Sequence, residues 1–199
     1  MRLKDVLFRW LIQRPVVVDL REDQALCEKY HSDALVLCMW IDAAGFLRAL
    51  AVASISMGKE TDAVPCDPEE ISFATIADCK VLPRLRPGVE DQKKIWSIRK
   101  QITASHPVSR DLIRVRKTAF LDHYRLKDRP DIVRCHAETE EGSDVLVHAD
   151  GFNGTQLLGT VVEADDEGIL HKGDQVMIYV HNGMHFLDPI LIATTSRYE

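Results

Sequence analysis

Two apolar runs, Leu35 to Ile41 and Phe46 to Met57, flank the link Asp42-Ala43-Ala44-Gly45, and no other segment constrains the fold as tightly. Asp and Gly at the ends of a four-residue link suit a hairpin loop, the glycine because it accepts positive φ. A helix through the same residues competes, since Ala and Leu abound, but Gly45 falls mid-run and neither end carries a cap. A β-hairpin is therefore expected at the centre of the first half.

Around it, Leu3, Val6, Leu7, Trp10 and Leu11 recur at helical spacing over Leu3 to Ile12, and Pro15 stops that helix. Pro15 to Leu20 is a β-branched strand, and Glu22 to Tyr30 a charged helix. Gly58 to Glu70, with Pro65 and Pro68, is expected to be a loop, and Ile71 to Leu82 a strand. Val89 to Thr103 carries Ile95, Ile98 and Ile102 on one helical stripe, and His106-Pro107 closes it. The domain boundary is placed there.

Beyond the boundary the signals are short strands: Leu112 to Leu121, Ile132 to His136, Val145 to His148, Gln156 to Glu163, Gln175 to His181 and Pro189 to Ala193. Gly142, Gly151, Gly154, Gly168, Gly173 and Gly183 separate them and can take the positive φ that tight turns need. Such a series closes or half-closes into a small barrel. The expected class is α+β: a mixed α/β domain with a β-hairpin at 1–106, then a small C-terminal β-barrel at 107–199, similar in size to SH3, OB and cochaperonin barrels. Three segments, Gly159-Thr160-Val161-Val162-Glu163, Lys172-Gly173-Asp174-Gln175-Val176-Met177-Ile178 and Asp188-Pro189-Ile190-Leu191, resemble the strand order of cochaperonin-type barrels. That resemblance implies a barrel.

Composition supports cores of this kind, with 46% apolar residues in 199 and 28% charged. The longest apolar stretch, Ala34 to Met57, is interrupted by Asp42, Gly45 and Arg48, short of the roughly 18 residues a membrane span needs. Met1 to Gln13 lacks both an apolar signal-peptide core and a cleavage site, so neither secretion nor insertion is expected. Cys27, Cys38, Cys66, Cys79 and Cys135 are odd in number and scattered, which points to reduced thiols and a cytoplasmic protein.

Charge is segregated. Residues 84–134 hold fourteen Lys or Arg against six acids (14 − 6 = +8), whereas 1–83 carry 9 − 13 = −4 and 135–199 carry 2 − 12 = −10. A basic block in an acidic chain favours an anionic partner. The expected binding residues are Lys93, Lys94, Arg99 and Lys100 on the helix, with Arg110, Arg114, Arg116 and Lys117 on a strand where Arg114 and Arg116 share one face. The expectation is a non-enzymatic binding or assembly protein, its central basic face docking an anionic protein surface, a neighbouring subunit or nucleic acid. The acidic loops Glu138-Glu140-Glu141 and Asp165-Asp166-Glu167 could answer the charge within the chain or in another copy, which favours a homo-oligomer or a structural subunit of a larger assembly. Aromatic residues able to stack on bases are few: Trp96, Phe120 and Tyr124.

Two chemical alternatives stand beside this reading. Asp78-Cys79-Lys80 at a strand end, with Asp67 and Asp62 upstream, resembles the acid and acid-x-Lys set with which restriction-enzyme-like nucleases hold Mg²⁺ and activate water. His181 and His185 bracket a turn and form a candidate metal pair, whereas Cys135 and His136 point to opposite faces of a strand and cannot act together. Neither G-x-S-x-G, G-x-G-x-x-G nor the P-loop signature occurs.

Overall fold

The computed structural model describes residues 1–56, 63–83, 89–138, 143–165, 168–181 and 190–195, arranged as two compact units, Met1–Pro107 and Val108–Glu199. The fold is α+β, with a small closed barrel in the C-terminal unit.

The N-terminal unit comprises α1 (Phe8–Leu11), β1 (Val16–Asp19), α2 (Gln24–Tyr30), β2 (Ala34–Ile41), β3 (Leu47–Ile55), β4 (Ala63–Ser72), α3 (Phe73–Ile76), β5 (Lys80–Val81) and α4 (Val89–Ser105). Its antiparallel sheet has the order β4-β3-β2-β1-β5, and the hairpin β2–β3 forms its centre, turning through Gly45 at φ 83°. Both faces are covered, which is why β2 shows no polar alternation. Leu35, Leu37, Met39 and Ile41 join Leu3, Phe8, Leu11, Phe73 and Ile76 in one core, while Ala34, Val36 and Cys38 join Val17 and the α4 residue Ile95 in the other. Along β3 the faces exchange: Leu47, Ala49 and Ala51 enter the first core, Ala53 and Ile55 the second. The ladder with β4 slips between Ala51 and Ala53, and an extra residue in a ladder inverts every side chain after it.

Three expectations for this unit need correction. Leu3 to Ile12 is not one helix, because the Leu3 and Lys4 amides donate to the Cys79 and Ala77 carbonyls at 2.9 Å and only Phe8–Leu11 winds as α-helix. Residues 63–70 are strand and not loop; Pro65 and Pro68 are tolerated because β4 is a sheet edge. Ile71 to Leu82 is split by α3, whose Phe73 and Ile76, three apart, share a buried helical face.

The C-terminal unit holds α5 (Arg110–Lys117), β6 (Ile132–Ala137), β7 (Asp144–Asn153), β8 (Gln156–Glu163), β9 (Gln175–His181) and β10 (Ile190–Thr195). The five strands close in the order β10-β6-β7-β8-β9. Five strands of alternating direction leave the first and last parallel, and β6 and β10 do pair in parallel. Val145, Val147 and Ala149 of β7 point into the barrel with Val161, Val176 and Ile178. Residues 110–117, expected as strand, are helix: the Ser109 hydroxyl caps the first turn by accepting from the Leu112 amide at 3.1 Å, and Val115 enters the barrel core.

Candidate functional site

The helical turn of α1 carries Phe8 and Leu11 into the core and turns Trp10 outward, leaving it 51% exposed. On α4, Ile95 is buried while its neighbour Trp96 is also 51% exposed. Each tryptophan carries a guanidinium: Arg14 lies 3.9 Å from the centroid of the Trp10 ring and Arg99 lies 5.1 Å from that of Trp96. The two rings line one cleft of about 370 Å³, with Val6, Val17, Val81 and Ile95 among its apolar lining and Arg14 among its polar groups.

Arg99 joins the two sides. Its Nη2 donates to the Ile12 carbonyl, just after α1, at 2.5 Å, and its Nη1 is buried with no hydrogen-bond partner among the described residues. Burial lowers its pKa from the ordinary value. On the other flank of Trp96 lies an open concavity lined by Gln92, Lys93, Ser97 and Lys100. Lys94 and Lys100 are exposed, and no ion pair holds either among the described residues. The N-terminal unit thus presents two half-exposed indoles, each beside a guanidinium and interleaved with lysines.

The expected strand arginines are distributed differently. On a helix, residues two apart diverge, and Arg116 turns inward to donate from Nε and Nη2 to the Asp131 carboxylate at 2.9 and 2.6 Å, both residues buried. Arg110, Arg114 and Lys117 instead share the spacing i, i+4, i+7 and are exposed; Arg114 lies 4.7 Å from the Phe152 ring centroid. The expectation that Arg114 and Arg116 share a face is thereby corrected. Arg84 and Arg86 lie outside the described residues.

Asp78 sits in the turn before β5 and is held by Arg2 at 3.1 Å and Lys4 at 2.5 Å, which keep its carboxyl below the usual range. Lys80 is paired with Glu22, and Asp67 lies on β4. Burial pushes the Cys79 thiol up to about 11 and that of Cys135 up to about 12. Among the described residues no three His, Cys, Asp or Glu gather as a metal site; Asp62 and His185 lie outside them, and His181 ends β9. Glu140, Glu141, Asp166 and Glu167 are likewise outside.

One polar cluster on the barrel had no counterpart in the sequence reading. His148 Nδ1 lies 2.6 Å from Asp150 Oδ1, Thr160 donates to Asp150 Oδ2 at 2.6 Å, and Gln175 donates to Thr160 at 2.8 Å. The hydrogen bond to Asp150 raises the pKa of His148 against the opposing effect of burial. The overlooked members of the tryptophan cleft are Trp10 and Arg14. Their signal was an indole two residues from Phe8 in a chain whose first turn is too short to bury both.

No protein-family model, curated protein or solved structure matches this chain.

Proposed function

We propose that this chain is a non-enzymatic binding protein that takes an unpaired nucleic-acid strand on the tryptophan face of its N-terminal unit. The observation that carries the reading is the pair of half-exposed indoles, Trp10 and Trp96, in one cleft, each with its own arginine. Exposed aromatics interleaved with cations accept successive bases by stacking while the cations track the phosphates, and they do so with little regard to sequence. Duplex DNA hides its base faces, so the same surface should discriminate strongly between the two forms. Lys93, Lys94 and Lys100 on α4 supply the charge; Arg110, Arg114 and Lys117 form a second basic face on α5.

Fluorescence anisotropy with labelled single-stranded and duplex oligonucleotides tests this. Single strands are expected to bind more tightly, and Trp96→Ala or Trp10→Ala to weaken that binding by about 1–3 kcal/mol per lost stack. An acidic protein surface or a second copy of the chain is the competing partner: the C-terminal unit carries ten basic and sixteen acidic residues (10 − 16 = −6), while the N-terminal unit balances at 15 − 15 = 0. A particle mass that rises with protein concentration and falls in high salt, without oligonucleotide binding, would favour that partner.

A further inference from the structure

β6 changes neighbours part-way along. Its first half runs beside residues 124–126, with the Arg134 amide donating to the Tyr124 carbonyl at 2.8 Å and the Leu126 amide to the Ile132 carbonyl at 2.9 Å. Its second half pairs with β10 at Ile192↔His136 and Ala193↔Ala137. Around this change of partner lies a cleft of about 210 Å³ whose lining includes Tyr124, His123, Arg125, Arg134 and His136. Alternate residues of a strand share a face, so Arg134 and His136 project together while Val133, Cys135 and Ala137 are buried.

The basic groups of this cleft are not equally committed. Arg125 is buried and donates to the Pro130 carbonyl at 2.5 Å and the Val115 carbonyl at 2.7 Å, with Asp122 3.7 Å away. His136 meets Asp144 through Nδ1 at 2.9 Å, which leaves Nε2 for another group. Arg134 and His123 are exposed, and neither side chain has a hydrogen-bond or ion-pair partner among the described residues. The two carboxylates at the border, Asp122 and Asp144, each already face a basic side chain.

We propose that this cleft is a binding site for a phosphate group, held by the Arg134 guanidinium with His123 and His136 beside it. The planar fork of a guanidinium matches two phosphate oxygens. The free Nε2 of His136 either accepts a P–OH hydrogen or, when the ring is doubly protonated, donates to a P–O⁻ oxygen. A cation would meet Arg134 and is disfavoured. The volume is below the roughly 300–1,000 Å³ of pockets that enclose a whole small molecule, so the cleft fits a phosphate group and not the body of a nucleotide.

The test is a titration of the full chain with inorganic phosphate and, separately, methyl phosphate, followed by the imidazole and guanidinium signals in ¹H–¹⁵N spectra. Saturable shifts of the His123, His136 and Arg134 signals are expected. Saturation by inorganic phosphate alone assigns the site to the free ion, and saturation by methyl phosphate assigns it to esterified groups; either supports the site. Arg134→Gln, at an exposed position, should keep the amide spectrum of the fold and weaken binding roughly tenfold or more, as loss of a charge-assisted pair does. Equal shifts with chloride at matched ionic strength, no saturation by either phosphate, or unchanged affinity in Arg134→Gln would each overturn the proposal. The outcome is independent of strand binding by the N-terminal unit.

Discussion

Arg116 shows how one side chain changes meaning with its backbone. Counted as part of a basic block it is a surface cation; on α5 it is a buried bidentate partner of Asp131. Removing one member of a buried pair strands the other without water, so Asp131→Ala should lower unfolding free energy in urea by about 3–5 kcal/mol, with Asp131→Asn milder because an acceptor remains. His148 makes a prediction of opposite character. Its folded pKa is raised above 6.5, so the stability it contributes is fully present below that pH and is lost as pH rises through the folded value. Thermal melts between pH 5.5 and 8.5 should therefore show a loss of stability on the alkaline side that shrinks in His148→Gln; parallel curves for the two proteins would refute the assignment. His148 and Asp150 were open to discovery in the sequence as an i, i+2 pair on a strand, but Thr160 and Gln175 complete the cluster only through the pairing of β7 with β8 and β8 with β9.

Among elements, the hairpin, the α4 stripe and all five barrel strands were legible because each has a strong internal period or clear turn residues. The failures share a cause. Residues 110–117 alternate Ile113 and Val115 with arginines, a strand pattern, yet the Ser109 cap and the burial of Val115 and Arg116 on one side of a helix decide otherwise. Local pattern loses to tertiary burial when a segment is about eight residues long. β4 was hidden by two prolines that only an edge strand accommodates. Gly159 on β8 is closely enclosed by β7. A Cβ there would lie 2.5 Å from Val147 Cγ1 and 2.6 Å from the His148 carbonyl oxygen, so β7 and β8 approach too closely for any side chain. Gly159→Ala should destabilise the C-terminal unit by about 1–3 kcal/mol in chemical unfolding.

At the scale of the whole molecule, the basic block divides between the two units, with Lys93, Lys94, Arg99 and Lys100 on α4 and Arg110, Arg114, Arg116 and Lys117 on α5. Strand binding by the N-terminal unit should weaken with salt in proportion to the phosphates engaged, each contributing about 0.7 to the slope of log affinity against log salt. Lys93→Ala with Lys100→Ala should flatten that slope by more than one, measured by anisotropy across a salt series, whereas Trp96→Ala should leave the slope nearly unchanged and lower the affinity throughout. Those two signatures separate charge from stacking. Charge segregation and the stacking candidate Trp96 were legible in the sequence; Trp10 was not, because its exposure depends on how few residues α1 contains.

The parallel closure of β6 on β10 has a kinetic meaning. Among the described residues it rests on two registered pairs, Ile192↔His136 and Ala193↔Ala137, between the first and last strands of the barrel, whereas each neighbouring strand pair is linked through a shorter stretch of sequence. Closing a long loop for few contacts is entropically the most demanding step of such a meander. Amides flanking this seam should accordingly exchange with solvent through local openings of lower free energy than those of the β7–β8 ladder. The C-terminal unit is thus a barrel with a latch, and a ligand that bound beside the seam only when it was shut would slow that exchange.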